Sequence, residues 1–302
     1  MSDNARVDAS PDYVALRTDV GAIALPRDFL LVSGPDAVSW LQGQLSQDVA
    51  ALAVGGSAES LLLQPQGKVD AFVRVVRTAE DELVLDVDEG FGDAVLARLR
   101  RFKIRIKAEV EPLAWHCVAL RGPRAAEVAP DTTGGIAVPA DWPGLPGMDI
   151  VGVAPSAGST VRRCGIEAWQ TVRIEAGVPA MGAELTERTI PAEAGIVGRT
   201  VSFTKGCYTG QELVARIDSR GGNVPRRLRG VTSGDAIAPV GAAVLVGDKE
   251  VGTLTSVASS GDGRGMVALA YVRRDVEPPA VAEVRWEGGV AAARVETLPL
   301  VP

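Results

Sequence analysis

From about residue 223 the chain carries a pattern that suits strands and little else. Short Val-, Ala- and Leu-rich segments recur at 230–231, 243–246, 253–257, 267–272 and 281–286, punctuated by turn formers such as Gly247-Asp248. Runs this short are below the usual length of a helix. As strands they need paired edges, so 223–302 is expected to close into a small β-barrel.

The chain before it mixes two periods. Leu30 to Ser33 reads as a strand, and Val38, Leu41 and Leu45 form a helical stripe at spacings of three and four. Ser60 to Leu63 and Val69 to Val76 read as strands joined by the turn Gln64-Pro65-Gln66-Gly67-Lys68. A strand at Leu83 to Val87 leads into a helix carrying Val95, Leu96 and Leu99. The alternation from Ile104 to Val110 predicts a half-buried strand. Trp115 to Leu120 alternates in the same way. Glu167 to Gly177 reads as a helix ended by its glycine. Hairpins mixed with helices, without a strict βαβ series, indicate an α+β fold. The expected division is a flexible tail over 1–18, a discontinuous α+β domain over 19–114 and 166–222, a second α+β domain over 115–165, and the barrel.

Composition narrows the function. The formal charge of −7 and an aromatic share of 4% disfavour direct nucleic-acid binding, which needs a basic face or stacking rings. Basic residues do cluster at Arg98, Arg100, Arg101, Lys103, Arg105 and Lys107, and again at Arg226, Arg227 and Arg229; both clusters read as solvated faces. The single histidine, His116, lies in a strand-like stretch, which leaves a histidine-assisted hydrolase little to draw on. Cys117, Cys164 and Cys207 show no metal-ligand spacing and no sign of a disulfide framework. No apolar run approaches the ~18 residues that span a bilayer, and the first residues lack a signal peptide's apolar stretch. The expectation is a cytoplasmic monomer with no membrane association and no bound metal.

One segment carries chemistry. Thr209-Gly210-Gln211-Glu212 has the spacing of a capping box, with Thr209 as N-cap of a helix running to Gly221-Gly222. Cys207 lies two residues before that cap and two after Lys205. A helix N-terminus and a nearby ammonium both favour a thiolate. The other reading is a small buried residue in a loop.

The segment Lys205-Gly206-Cys207-Tyr208-Thr209-Gly210-Gln211-Glu212, continuing through Ala215-Arg216, resembles the signature of the YgfZ proteins. These are relatives of the glycine cleavage aminomethyltransferase, or T-protein. Trp40 to Val49, Leu63 to Val69, Arg173 to Pro179 and Ile190 to Gly195 are similar to further stretches of those families. The resemblance implies a three-lobed, cloverleaf-like fold with ferredoxin-like α+β lobes around a pocket for tetrahydrofolate or a one-carbon derivative. It implies that Glu175 holds the pterin ring, because a carboxylate can take two adjacent N–H donors. It sets Asp70 near the folate's reactive nitrogens, without the second acid of the aminomethyltransferases. Gln211, Arg216 and Tyr208 become candidate folate contacts. For Gln211 a solvated helix surface stays open, and for Arg216 pairing with Asp218 or Glu212. Cys207, Lys205 and Asp70 are the candidate catalytic groups.

The function implied is support of iron–sulfur cluster assembly or repair, acting on tRNA modification indirectly. The partners would be iron–sulfur client or assembly proteins. One cysteine cannot hold a cluster alone, so Cys207, at the edge of the folate cleft, would act as nucleophile, redox group or transient ligand. The alternative is a folate-dependent aminomethyltransferase or other one-carbon transferase.

Overall fold

The structure is a computed structural model describing residues 9–128, 134–234, 236–261, 263 and 265–301. Two five-stranded sheets and a barrel organise it.

The first sheet is built from β2 (Arg27–Ser33), β3 (Ser57–Leu63), β4 (Val69–Ala79), β5 (Glu82–Asp88) and β6 (Glu109–Leu113), in the order β3-β4-β5-β2-β6. Helix α2 (Ala37–Gln44) follows β2 and α3 (Gly92–Arg101) follows β5. Setting aside the edge strand β3, this is the ferredoxin-like order. Strand alternation sends Leu30, Val32, Ala71, Val73, Val75, Leu83 and Leu85 to the helix side, where Trp40, Leu41, Val95 and Leu99 cover them. The turn between β3 and β4 forms as expected.

The predicted strand from Ile104 does not form. The segment 104–108 is irregular, Ile104 is 74% exposed, and β6 begins at Glu109. Pairing decides this: β6 meets β2 only from Glu109, opposite Ser33.

The second sheet comprises β1 (Gly21–Leu25), β7 (His116–Arg121), β8 (Gly135–Pro139), β9 (Gly147–Gly152) and the two-residue β10 (Arg162–Arg163), ordered β10-β1-β7-β9-β8. β1 runs antiparallel to β7 from Gly21 opposite Arg121 to Leu25 opposite Cys117. It therefore belongs with this sheet and not, as its place in the chain suggested, with the first. The two sheets meet back to back through Phe29, Val76 and Val84 on one side and Cys117, Val138 and Val151 on the other.

Residues expected to be a flexible tail instead form α1 (Pro11–Thr18), with Leu16 fully buried beside Ile23, Ala168 and Trp169. Proline in the first turn suits the start of a helix. The part of the expected tail before residue 9 lies outside the described residues.

α4 (Ile166–Ala176) packs against α1 and the barrel, and Gly177 ends it in the left-handed conformation (φ 73°). The short α5 (Val197–Thr200) and α6 (Gln211–Ser219) precede the barrel. β11 (Arg226–Ser233), β12 (Ala243–Val246), β13 (Lys249–Ser259), β14 (Met266–Arg273), β15 (Ala280–Trp286) and β16 (Gly289–Glu296) close in the order β11-β14-β13-β12-β15-β16. Its interior is filled by Val244, Leu254, Ala268, Ala270, Val284 and Val295. β16 was not anticipated, because Gly289 to Glu296 centres on three consecutive alanines, Ala291 to Ala293, and lacks a run of large apolar residues. Among the described residues no helix is long and apolar enough to cross a membrane.

Candidate functional site

A cavity of about 320 Å³ opens where the two sheets and the start of α4 converge. Charged residues on the back of the first sheet reach it. Glu59, Arg74 and Asp86 stand in register across β3, β4 and β5. Arg74 bonds Asp86, and its Nη1 donates to Asp149 Oδ2 at 2.6 Å. Arg121 Nη1 donates to Asp149 Oδ1 at 2.7 Å. Arg27 bonds Asp86 and Asp88. Burial opposes the charge on Asp149, but Arg121 and Arg74 outweigh it and hold its carboxyl at about 2.

The guanidinium of Arg121 lies over a pair of touching indoles, 4.5 Å from the Trp142 ring centre and 4.8 Å from that of Trp169, the two ring centres themselves being 4.5 Å apart. Trp169 is thus a packing residue as well as part of the wall. Two donors remain unanswered. Arg74 is 7% and Arg121 2% exposed, yet the Nε of each is buried and has no hydrogen-bond partner among the described residues. Both atoms lie inside the protein and not on the accessible wall of the cavity, and unpaired internal donors of this kind are costly. On the α4 side, Arg173 donates to Gln170 Oε1 at 2.8 Å and to Ser256 Oγ at 2.8 Å, tying the helix to the barrel.

The expected site residues do not gather here. Glu175 faces the other side of α4. It is 2% exposed, accepts hydrogen bonds from Tyr13 Oη at 3.1 and 3.2 Å and is ion-paired with Arg17. Helix α1, expected to be loose, supplies both partners, so the carboxylate is satisfied within the fold and does not line the cavity. Asp70 lines a separate groove of about 440 Å³ beside α3, with Arg98 Nε 3.2 Å from its Oδ2.

The Cys207 segment lies elsewhere again, across the end of α2 and the β3–β4 turn. The Thr209 amide donates to Gly43 O at 3.4 Å. Gly210, at φ 82°, passes so close to the turn that a Cβ there would sit 2.5 Å from Gln64 O. The Lys205 ammonium donates to the carbonyls of Gln42 and Leu45 at 2.6 Å each and Gln47 at 2.9 Å. Burial pulls its pKa down to about 8. These three bonds make Lys205 a stitch between segments, since α2 leaves its last carbonyls without intrahelical partners.

The capping box is not formed. Gly210 is the N-cap of α6, no side chain caps it, and Gln211 Oε1 instead accepts from the Tyr208 amide at 3.2 Å. The positive φ of Gly210 starts the helix one residue later than the motif requires. Cys207 is exposed, Tyr208 is buried in an apolar cluster with Leu63 and Ile174, and Arg216 is exposed on α6. None of Cys207, Tyr208, Gln211 and Arg216 lines the cavity.

Residues 11–142 match the GCVT N-terminal domain, and 226–302 match the glycine cleavage T-protein C-terminal barrel domain. An aminomethyltransferase from Rubrobacter xylanophilus is 31% identical over 299 residues, spanning 88% of this chain and 79% of that protein. The chain belongs to the glycine cleavage T-protein family. Within it the chain is of the YgfZ type. The tRNA-modifying protein YgfZ of Cronobacter sakazakii is 26% identical over 302 residues, covering 89% of each chain. An uncharacterized protein from Haemophilus influenzae is 28% identical over 194 residues, 64% of this chain and 66% of its own length. The T-protein fold itself is evident in the aminomethyltransferase T structure from Bartonella henselae, which superposes with a TM-score of 0.82 at 22% identity over 98% of this chain and 91% of that one.

The cavity residues that sequence reasoning passed over had a signal. Arg74 interrupts Val73 and Val75-Val76, Asp86 interrupts Leu85 and Val87, and Asp149 precedes Ile150-Val151. Single charges inside apolar strands ask for partners across the sheet.

Proposed function

We propose that this protein binds tetrahydrofolate, or a one-carbon derivative of it, in the central cavity, and supports the assembly or repair of iron–sulfur proteins, with tRNA modification affected through them. The observation that carries the folate reading is the lining of the central cavity, where the indoles of Trp142 and Trp169 stand against the guanidinium of Arg121, with Arg74 on the facing sheet. A flat ring bearing carbonyl and ring-nitrogen acceptors fits that lining, and the family match favours a folate as that ring. Bound folate supplies a carrier for one-carbon units. The protein's share is to orient the ring, to answer its polar edges and to exclude water.

Cys207 acts outside the cavity, on a partner protein. Its sulfur is exposed, whereas Cys117 is buried, and Cys164 stands beside β10 with its thiol pushed up to about 11 by burial. Neither completes a ligand set with it, so any cluster it touches is shared with a client or assembly protein. The cytoplasm and a monomeric state suit that role.

The likeness to aminomethyltransferases favours a second reading, a one-carbon transferase. Asp70 speaks against it, being engaged by Arg98 in a groove outside the cavity.

Calorimetric titration of tetrahydrofolate tests the proposal, alongside an aminomethyl-transfer assay with the lipoyl carrier protein. Wild type and Cys207→Ser are expected to bind folate equally, with no transfer. Cys207→Ser should also fail to restore iron–sulfur enzyme activity in cells lacking the protein. Absence of binding overturns the folate reading, and steady aminomethyl turnover replaces the accessory role with the transferase.

A further inference from the structure

One run of cations has no part in the function argued so far. Arg98, Arg100, Arg101, Lys103, Arg105 and Lys107 lie at the end of α3 and in the irregular segment after it, on a chain of net charge −7. Among the described residues only Arg98 and Lys103 meet an acid, Asp70 and Glu109 respectively. Phe102 and Ile104, both exposed, stand among these cations. Open cations and large open apolar side chains on one segment mark a docking surface more than a merely solvated face.

The groove of about 440 Å³ beside Asp70 joins this segment. It runs along α3 from Phe91 to Phe102 and takes in Arg98 and Arg101, apolar residues such as Leu62 and Val95, and Gln64 and Pro65 of the β3–β4 turn. That turn is the one on which Gly210 rests. Arg98 lies 3.8 Å from the centre of the Phe102 ring, and its Nη1 donates to Gln44 Oε1 at 3.5 Å, at the end of α2. Just past that end the Ser202 amide donates to Ser46 O at 3.0 Å, and the next residue, Phe203, is exposed. Cys207, also exposed, follows on the same loop. The groove, the basic segment and the cysteine loop thus share the end of α2 as their support.

We propose that the groove along α3 and the basic segment 102–107 dock the partner protein on which Cys207 acts, and that the partner offers an acidic segment carrying a large apolar side chain. The inference rests on the reading of Cys207 as a group that works on a partner, and it adds where that partner binds and by what chemistry. Charge complementarity selects the occupant. Arg101, Arg105 and Lys107 have no acid against them among the described residues, and a positive patch on an otherwise acidic protein steers an acidic partner to one place. The apolar lining of the groove takes the anchor. An RNA backbone would answer the cations and leave that lining bare, and Arg98 already covers the Phe102 ring on which a base would stack. A membrane surface is flat and does not enter a groove.

The test pairs peptide binding with function in cells. Fluorescence anisotropy follows three short peptides: glutamates flanking a leucine and a phenylalanine, the same peptide with glutamines for the glutamates, and glutamates flanking two serines. Wild type should bind the first roughly tenfold more tightly than either of the others. Arg101→Glu combined with Arg105→Glu should lose that preference and take up a lysine peptide with the same apolar pair, which also shows that the variant is folded. In cells lacking the protein, this variant should fail to restore iron–sulfur enzyme activity, as Cys207→Ser fails, while its urea unfolding midpoint stays that of wild type. Wild type that binds the three peptides alike overturns the inference. So does transfer RNA, or a phosphatidylserine vesicle, that wild type prefers to the acidic peptide and the charge-reversed variant loses. A charge-reversed variant that restores activity where Cys207→Ser does not also overturns the docking surface, and it leaves the cysteine reading standing. Full restoration by Cys207→Ser removes that reading, and the inference falls with it.

Discussion

Lys205 offers the sharpest test of what holds the Cys207 segment. Lys205→Met keeps most of the aliphatic stem and removes three hydrogen bonds, to Gln42, Leu45 and Gln47. Bonds from a charged donor are worth about 1.5–3 kcal/mol each in isolation. The site is only partly buried, and burial of the ammonium, which brings its pKa down to about 8, works against them. After that offset and solvent screening the net loss is about 2 kcal/mol. Local opening of the segment should therefore rise about thirtyfold, at 1.4 kcal/mol per factor of ten. Hydrogen exchange followed by mass spectrometry on a peptide spanning 206–214 reads this directly, because the Thr209 amide is held by Gly43. A change below about threefold refutes the reasoning. If exchange is unchanged while alkylation of Cys207 slows, the ammonium serves the thiol and not the backbone.

Two further outcomes follow from geometry already described. Gly210→Ala forces a side chain into a left-handed residue and against Gln64 O, and it should cost about 2–4 kcal/mol in urea unfolding; a loss under 1 kcal/mol would mean that the turn yields easily. Asp149 contributes to acid stability: its folded pKa of about 2 lies below its ordinary 3.8, so the unfolded chain binds protons first as pH falls. Its contribution of about 2 kcal/mol is present above pH 3.8 and is lost as pH drops towards 2, which denaturation midpoints of wild type and Asp149→Asn across that range would reveal as converging curves.

Periodicity made the elements legible, and pairing decided where they ended. Apolar alternation marked β4 and β5, and the stripe of Val95, Leu96 and Leu99 marked α3, because those residues bury one face against a single neighbour. The same reasoning failed at Ile104, where alternation is present and a partner strand is not. The site was less visible. Cys207 and Glu175 stood out as chemistry-bearing residues, but their surroundings depend on groups far away in the chain. Glu175 is answered by Tyr13 and Arg17, some 160 residues earlier. The cavity likewise joins Glu59, Arg121 and Trp169 from separate elements, and no local window of sequence contains them together.

The place of β1 bears on how the chain is made. β1 leaves the ribosome early, yet its antiparallel partner β7 begins only at His116, some ninety residues later. At about 5–20 residues per second, synthesis leaves Ala22 and Ile23 without that partner for on the order of ten seconds. Meanwhile all five strands of the first sheet, which span 27 to 113, emerge in one uninterrupted stretch. The nascent protein thus completes its inserted lobe first and fastens the older strand afterwards, like a clasp closed around finished work. A chaperone acting during synthesis would find in residues 20–25 an apolar target that persists until β7 has emerged.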